Sequence, residues 1–476
     1  MNHLTTGQAD LDLILGGGLR RGSVVVVSGP PGTGKTVLAQ QICFAVATDE
    51  RKAVYYTTLS EPHAKLVSNL SQFSFFDPTA LGSRVEYVHL GDLLRDTGAP
   101  LDPVIDEVVR KALDEEPALV VLDSAMMLRD FVSDHTLRAA LYDLTSRVAH
   151  SGAVLLLLGE HSEEEARTGV EFALADGIVV LSSQGREPVD RRGLRVRKMR
   201  GTAPLGGTHT LRITRDGVRV YPRLEALLPA DPPSRGERIA SGVRGLDALL
   251  GGGIPGGDAT VLLGPSGAGK TIGCLGFAGE GLAQGERCLY VTFQDSAAEV
   301  AATAARFGWD FAAARDRDQL VVAPVPIGAP DLDLDVLSAT IRHTLAGGSI
   351  RRVVIDGLGG LAHAAREAQR FPAYLRSLLG IIRAAGASLW MTSETRLAGP
   401  VEDPLAGLMN LFHNVVQIRF VEHRAEIGRV LTVLKMRNSR HTTALYACRV
   451  EDDGGLVVGQ PVEEVTGMPG GSDLRV

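Results

Sequence analysis

Short, uninterrupted apolar runs alternate with helical patterns along this chain. In the first half the runs are Val24 to Ser28, Ala53 to Thr57, Leu119 to Leu122, Val154 to Leu158 and Gly177 to Leu181. Continuous apolar strands separated by helices predict a parallel sheet covered on both faces. Toward the end of each half the pattern becomes hairpin-like, as in Gly193 to Arg200, His209 to Thr214, the Asp216-Gly217 turn and Val218 to Tyr221. An antiparallel extension is expected there.

The pattern repeats. Leu11-Asp-Leu-Ile-Leu-Gly-Gly-Gly18 returns as Leu246-Asp-Ala-Leu-Leu-Gly-Gly-Gly253, a shift of 235 residues. Asp123, closing the run Ala118 to Leu122, matches Asp356 after Val353-Val-Ile355, and Lys198-Met-Arg200-Gly matches Lys435-Met-Arg437-Asn. A period this long means duplicated domains and not a solenoid. The stretch from Pro222 to Gly236 holds Pro222, Pro229, Pro232 and Pro233, too many for a helix interior or a central strand. The expected organisation is a first domain over residues 1–225, a proline-rich linker over 226–236, a second domain over 237–464 and a Gly-rich polar tail over 465–476.

Each half carries one phosphate-binding loop: Gly29-Pro-Pro-Gly-Thr-Gly-Lys35-Thr36 and Gly264-Pro-Ser-Gly-Ala-Gly-Lys270-Thr271. Both match GxxxxGK[ST], follow an apolar run and precede a helix-compatible segment. In such a loop Gly29, Gly32, Thr33 and Gly34, or Gly264, Gly267, Ala268 and Gly269, curl backbone N–H groups around phosphates. Lys35 and Lys270 reach the outer phosphates, and the hydroxyls of Thr36 and Thr271 hold Mg²⁺. Hydrolysis of ATP needs a further carboxylate beside the metal, at the tip of a neighbouring buried strand, and Asp123 and Asp356 stand where it is needed. The competing reading of each is an aspartate that caps a helix or closes a turn.

The 45% hydrophobic content over 476 residues suffices for two buried cores. A formal net charge of −7 gives no general attraction for nucleic acid or anionic membrane. Cys43, Cys274, Cys288 and Cys448 are scattered without a CxxC, as core residues of a reducing compartment would be. No secretory segment opens the chain, and no apolar run approaches a membrane span. A cytoplasmic protein is expected.

These landmarks, in this order, resemble the KaiC family of circadian-clock ATPases, a RecA-like group with two phosphate loops. The resemblance runs from Leu4 to about Glu464. It rests on the paired loops, the SGxxxLDxxLGGG entry (Ser241 to Gly253), Tyr290-Val-Thr-Phe293 with Phe307-Gly-Trp-Asp310, Gly169-Val-Glu171 with Ala175-Asp-Gly-Ile178, and the Lys-Met-Arg elements. It implies an α/β fold of two tandem RecA-like P-loop NTPase domains, with mostly parallel sheets flanked by helices and an antiparallel hairpin extension. It also implies a homo-oligomer, a two-tiered hexamer with nucleotide between neighbouring subunits. Lys198 and Arg200 would then reach the nucleotide of the adjacent first domain, and Lys435 and Arg437 would do so in the second tier. A cation delivered in trans stabilises charge on the transferring phosphoryl group and is worth roughly a thousandfold or more in rate. Two other readings are a solvated basic hairpin and a nucleic-acid patch made of Arg191, Arg192, Arg195, Arg197, Lys198 and Arg200; the second half repeats Lys-Met-Arg without repeating the arginine cluster.

The chain departs from the family twice. Anchored on Phe73 and Phe307, the family's Glu-Glu pair becomes Ser60-Glu61 in the first domain and Gln294-Asp295 in the second. Glu61 and the shorter Asp295 are therefore the candidate catalytic carboxylates, and the second domain is expected to hydrolyse ATP poorly. Glu160 and Glu394, just past the next buried strand, are open to two roles, sensing the γ-phosphate or capping a helix. The family's phosphorylated Ser-Thr pair falls at Met409-Asn410, and Arg396 to Leu431 contains no Ser, Thr or Tyr. The expectation is an ATP- and Mg²⁺-dependent regulatory ATPase read by a protein partner, without the clock-type autophosphorylation switch. A RecA-like DNA recombination or repair ATPase and a serine/threonine kinase acting in trans are the alternatives; the acidic charge argues against nucleic acid.

Overall fold

The computed structural model describes residues 2–57, 63–89, 116–124, 134–160, 170–185, 190–227, 237–325, 332–365, 369–395, 407–423, 426–437 and 439–462. The chain divides into two compact units, Met1–Leu227 and Leu228–Val476.

Apart from one two-residue pairing near its start, the described strands of the first unit form one nine-stranded sheet. Its strands are β1 (Val24–Ser28), β2 (Ala53–Thr57), β3 (Val85–His89), β4 (Leu119–Asp123), β5 (Val154–Gly159), β6 (Gly177–Gln184), β7 (Arg191–Met199), β8 (His209–Thr214) and β9 (Gly217–Tyr221). They lie in the order β9-β8-β7-β6-β1-β5-β4-β2-β3. Strands β1 to β6 pair in parallel, whereas β7, β8 and β9 add antiparallel to the β6 edge.

The second unit repeats this plan with β10 (Ala259–Gly264), β11 (Arg287–Thr292), β12 (Leu320–Pro324), β13 (Ile350–Asp356), β14 (Ser388–Glu394), β15 (Asn414–His423), β16 (Glu426–Met436), β17 (Tyr446–Glu451) and β18 (Gly455–Pro461). Their order is β18-β17-β16-β15-β10-β14-β13-β11-β12, the same topology strand for strand. Both sheets are mostly parallel, flanked by helices and extended by antiparallel strands, which is the tandem RecA-like architecture.

The apolar runs form strands because every residue of Val24–Ser28 and Val154–Gly159 is buried, and β-branched and aliphatic side chains pack well on a doubly covered sheet. Strand β3 is not among the five runs read from the first half. It is an edge strand with only Val85 fully buried, so its residues carry no continuous apolar signature. Strand β6 runs to Gln184, past Leu181, because β7 pairs with it as far as Arg191. The Leu-Asp-x-x-Leu-Gly-Gly-Gly repeats form matching caps. Asp12 Oδ1 accepts the Thr6 N–H at 2.8 Å and Asp247 Oδ1 the Ser241 N–H at 2.9 Å, while the backbone carbonyls of Asp12 and Asp247 each accept two of the following glycine N–H groups. After β9, Leu224–Ala226 make one 3₁₀ turn with Leu224 buried in the first unit; residues 228–236 of the proline-rich stretch and the tail beyond residue 462 lie outside the described residues.

Candidate functional site

The central strand of each sheet ends in its phosphate loop, and a helix leaves from it: α1 (Lys35–Val46) in the first unit, α2 (Lys270–Ala283) in the second. The residues before these helices, Gly34 and Gly269, have φ of 98° and 100°, the left-handed region where a side chain is strained. At Gly29 the limit is space, since an added Cβ would lie 2.3 Å from the Leu181 carbonyl oxygen. Glycine is therefore required where the chain turns around the cradle.

Neighbouring strands bring the chemistry to it. In the first unit the Thr36 hydroxyl donates to Asp123 Oδ2 at 2.8 Å, and the Tyr55 hydroxyl donates to the same oxygen. A hydroxyl and a carboxylate side by side form a hard-oxygen pair suited to Mg²⁺, which takes one or two carboxylates and keeps its remaining positions for phosphate and water. Among the described residues no cluster of three or more His, Cys, Asp or Glu could hold a metal by itself.

Lys35 Nζ donates to the carbonyls of Gly29 at 2.8 Å and Pro30 at 2.9 Å, and it stands 3.7 Å from Glu160. Burial pulls its pKa down, against the opposing pull of Glu160 and Asp123. Lys270 Nζ donates to the Pro265 carbonyl at 2.8 Å, and burial lowers its pKa likewise, opposed by Glu394 and Asp356. Glu160, just past the end of β5, and Glu394, the last residue of β14, are thus both electrostatic neighbours of the loop lysines.

Asp123 and Asp356 close their strands beside the loops. Asp356 accepts from the Tyr290 hydroxyl at 3.2 Å and the Thr392 hydroxyl at 2.7 Å. The following helix, Leu358–Ala364, starts without a side-chain cap, so the capping reading does not describe Asp356. Asp295 is half-buried. Its carboxyl is held above the usual range by burial, then by Asp356 and Glu299, which puts it in the electrostatic neighbourhood of that carboxylate. Ser60 and Glu61 lie outside the described residues.

Lys198, Arg200, Lys435 and Arg437 sit elsewhere. Lys198 pairs with Ile178, beside Val26 in the middle of β1, and Met199 with Gly177, beside Val25 near its start. The phosphate loop leaves the other end of β1, roughly 10–13 Å away at a rise of about 3.3 Å per residue. Lys198 Nζ donates to the Ala175 carbonyl at 2.6 Å, and Arg200 pairs with Asp176 at 3.4 Å. The second unit matches: Lys435 Nζ donates to the carbonyls of Met409 at 3.1 Å and Phe412 at 2.7 Å, and Arg437 donates to that of Asn410 at 3.1 Å. Within one unit, then, these cations lie at the end of the sheet away from that unit's own loop.

The sequence reading missed two cradle neighbours, Arg192 and Arg429. Arg192 Nε donates to the Gly32 carbonyl at 3.1 Å, and a guanidinium nitrogen of Arg429 donates to the Gly267 carbonyl at 3.2 Å. Each stands six positions before its Lys-Met-Arg lysine, so the signal was present in the repeat. In the sequence Arg192 reads only as a member of the arginine cluster.

The family model described as "ATPase: KaiC" matches residues 4–225 and 239–463. Among similar curated proteins, the circadian clock oscillator protein KaiC of Parathermosynechococcus lividus is 25% identical over 94% of this chain and 84% of its own length. The circadian clock protein KaiC3 of a Synechocystis strain is 26% identical over 99% of this chain and 94% of its own. The circadian clock oscillator protein KaiC of Synechococcus elongatus is 25% identical over 93% and 86%.

Proposed function

The chain belongs to the KaiC family of ATPases, and from that premise we propose an oligomeric regulator that binds Mg²⁺-ATP in both units and hydrolyses it between subunits. In this reading Lys35 and Lys270 hold the outer phosphates, Thr36 with Asp123 and Thr271 with Asp356 hold Mg²⁺, and Arg192 and Arg429 brace the loops. When bound, Mg²⁺ supplies charge neutralisation at the phosphates. Glu61 in the first unit and Asp295 in the second orient the attacking water or accept its proton.

One observation carries the reading. Each unit has its phosphate cradle at one end of the central strand and its Lys-Met-Arg cations at the other. A cation so far from its own cradle acts on a nucleotide only when another copy presents one, as expected of a closed ring of head-to-tail contacts. We take that ring to be a hexamer, as the resemblance implies. Its nucleotide state would be read by a protein partner, because loops held by the γ-phosphate relax once it leaves. No described helix is long and apolar enough to cross a membrane.

Specific activity and mass measured together across a dilution series test this. Turnover per chain should fall as the assembly dissociates. A monomer that hydrolyses ATP at the rate of the assembled protein would overturn the reading. Retention of a purified binding partner with ATP but not ADP would support the signalling role, and retention indifferent to nucleotide would oppose it.

A further inference from the structure

The two units place different side chains beside their metal-site aspartates. In the first, Asp123 accepts from Tyr55 and from Thr36 of its own phosphate loop. In the second, Tyr290 stands at the register of Tyr55, and Thr392, on β14, also donates its hydroxyl to the aspartate. The position equivalent to Thr392 is Leu158: Leu158 pairs with Val27 and Asp123, while Thr392 pairs with Leu262 and is the next residue after Met391, which pairs with Ile355. Both side chains are buried, at 2% and 0% exposure, so Thr392 brings a hydroxyl into a place the first unit fills with hydrocarbon.

A buried hydroxyl without a partner incurs its full desolvation cost, and Thr392 finds Asp356 Oδ1 at 2.7 Å. With Tyr290 on Oδ2 at 3.2 Å, the two donors grip opposite oxygens and fix the rotation of the carboxylate.

We propose that Thr392 is a positioning residue of the second nucleotide site, one that pre-orients Asp356 for Mg²⁺ from a position that the first unit fills with Leu158. It rests on the assignment of Asp356 as the metal-site carboxylate. Groups that orient a metal-binding side chain carry much of its affinity, with a cost of about 10–100-fold when removed.

The test uses the full-length Lys35→Ala protein, in which the first site is disabled, titrated with Mn²⁺ and a non-hydrolysable ATP analogue and read by electron paramagnetic resonance of free Mn²⁺. Thr392→Val should weaken Mn²⁺ binding about tenfold or more, and Thr392→Ser should restore it to within about twofold. If Val disturbs packing, Thr392→Ala removes the same hydroxyl with no new methyl contact and carries the measurement instead. Equal affinity in parent and hydroxyl-less variants would overturn the proposal. So would an equal loss in Thr392→Ser, since bulk and not the hydroxyl would then matter. If the Lys35→Ala parent bound the nucleotide analogue without recruiting Mn²⁺, the fault would lie in the metal assignment of Asp356 itself.

Discussion

The ammonium of Lys35 stands 3.7 Å from the carboxylate of Glu160, which lies just past β5, the strand next to the loop strand. Glu160 is more than half exposed at 57%, so the pair adds little to stability, and its interest lies in where it puts charge. Incoming phosphate would share the lysine with this carboxylate or displace it.

Binding should therefore depend on each loop lysine separately. Lys35→Ala and Lys270→Ala should each remove one class of ATP site, halving the stoichiometry seen with a fluorescent ATP analogue. Unchanged stoichiometry in either variant would refute that site.

Turnover should divide unequally. The first unit keeps a full-length carboxylate at Glu61, whereas the second offers Gln294 and the shorter Asp295. Steady-state hydrolysis should fall further in Lys35→Ala than in Lys270→Ala; the opposite order would reverse the ranking of the sites.

Complementation should succeed across subunits. Neither Arg200→Ala nor Lys35→Ala chains should hydrolyse well at the first tier alone, yet mixed oligomers pair an intact cradle with an intact cation at some interfaces. Partial recovery is expected, and none in verified mixed assemblies would mean that Arg200 does not act in trans.

Autophosphorylation should be missing from the segment between Arg396 and Leu431, which has no hydroxyl side chain. At its centre the Met409 and Asn410 carbonyls accept from Lys435 and Arg437. Thr395 and Thr432 flank it in sequence, but phosphoryl transfer needs an in-line nucleophile held at the γ-phosphate. Intact-mass measurement after long incubation with ATP and Mg²⁺ should find no stoichiometric phosphate on the second unit. A phosphate that vanished in Lys270→Ala would revive an autokinase.

Acid should weaken the second unit through His413. Its Nδ1 accepts the Ala259 N–H at 3.1 Å, and burial, reinforced by Arg383, Arg437 and Lys435, lowers its pKa from 6.5 to about 4. The unfolded chain therefore binds more protons between those values, so this contribution is complete above pH 6.5 and is lost as pH falls toward 4. The loss is on the order of 1–3 kcal/mol. Asp258, whose carboxyl burial pushes up, works in the opposite direction near the acid end. Both tryptophans, Trp309 and Trp390, lie in the second unit, so their fluorescence during urea unfolding reports on it. His413→Asn should flatten the slope over this window, and an unchanged slope would exclude His413 as its source.

The duplication, the two phosphate-loop motifs and most of the strands are legible in the amino-acid sequence. These signals are local: a left-handed glycine before α1 or α2, an unbroken Val24–Ser28, and an aspartate capping its own Gly-Gly-Gly turn are all specified by adjacent residues. Strand β3 escaped because an edge strand needs no continuous apolar run.

Which distant side chains meet is set by strand register and packing. Strand register sets Thr392 against Asp356 and leaves Leu158 at the matching place, a contrast invisible until β14 and β5 are aligned with their neighbours. The direction of β7 and β16 likewise carries Arg192 and Arg429 up to the loops, while it leaves Lys198 and Lys435 at the far end of the sheet. In an antiparallel strand, six residues span roughly 20 Å, so one short basic segment serves two places that sequence proximity makes look like one.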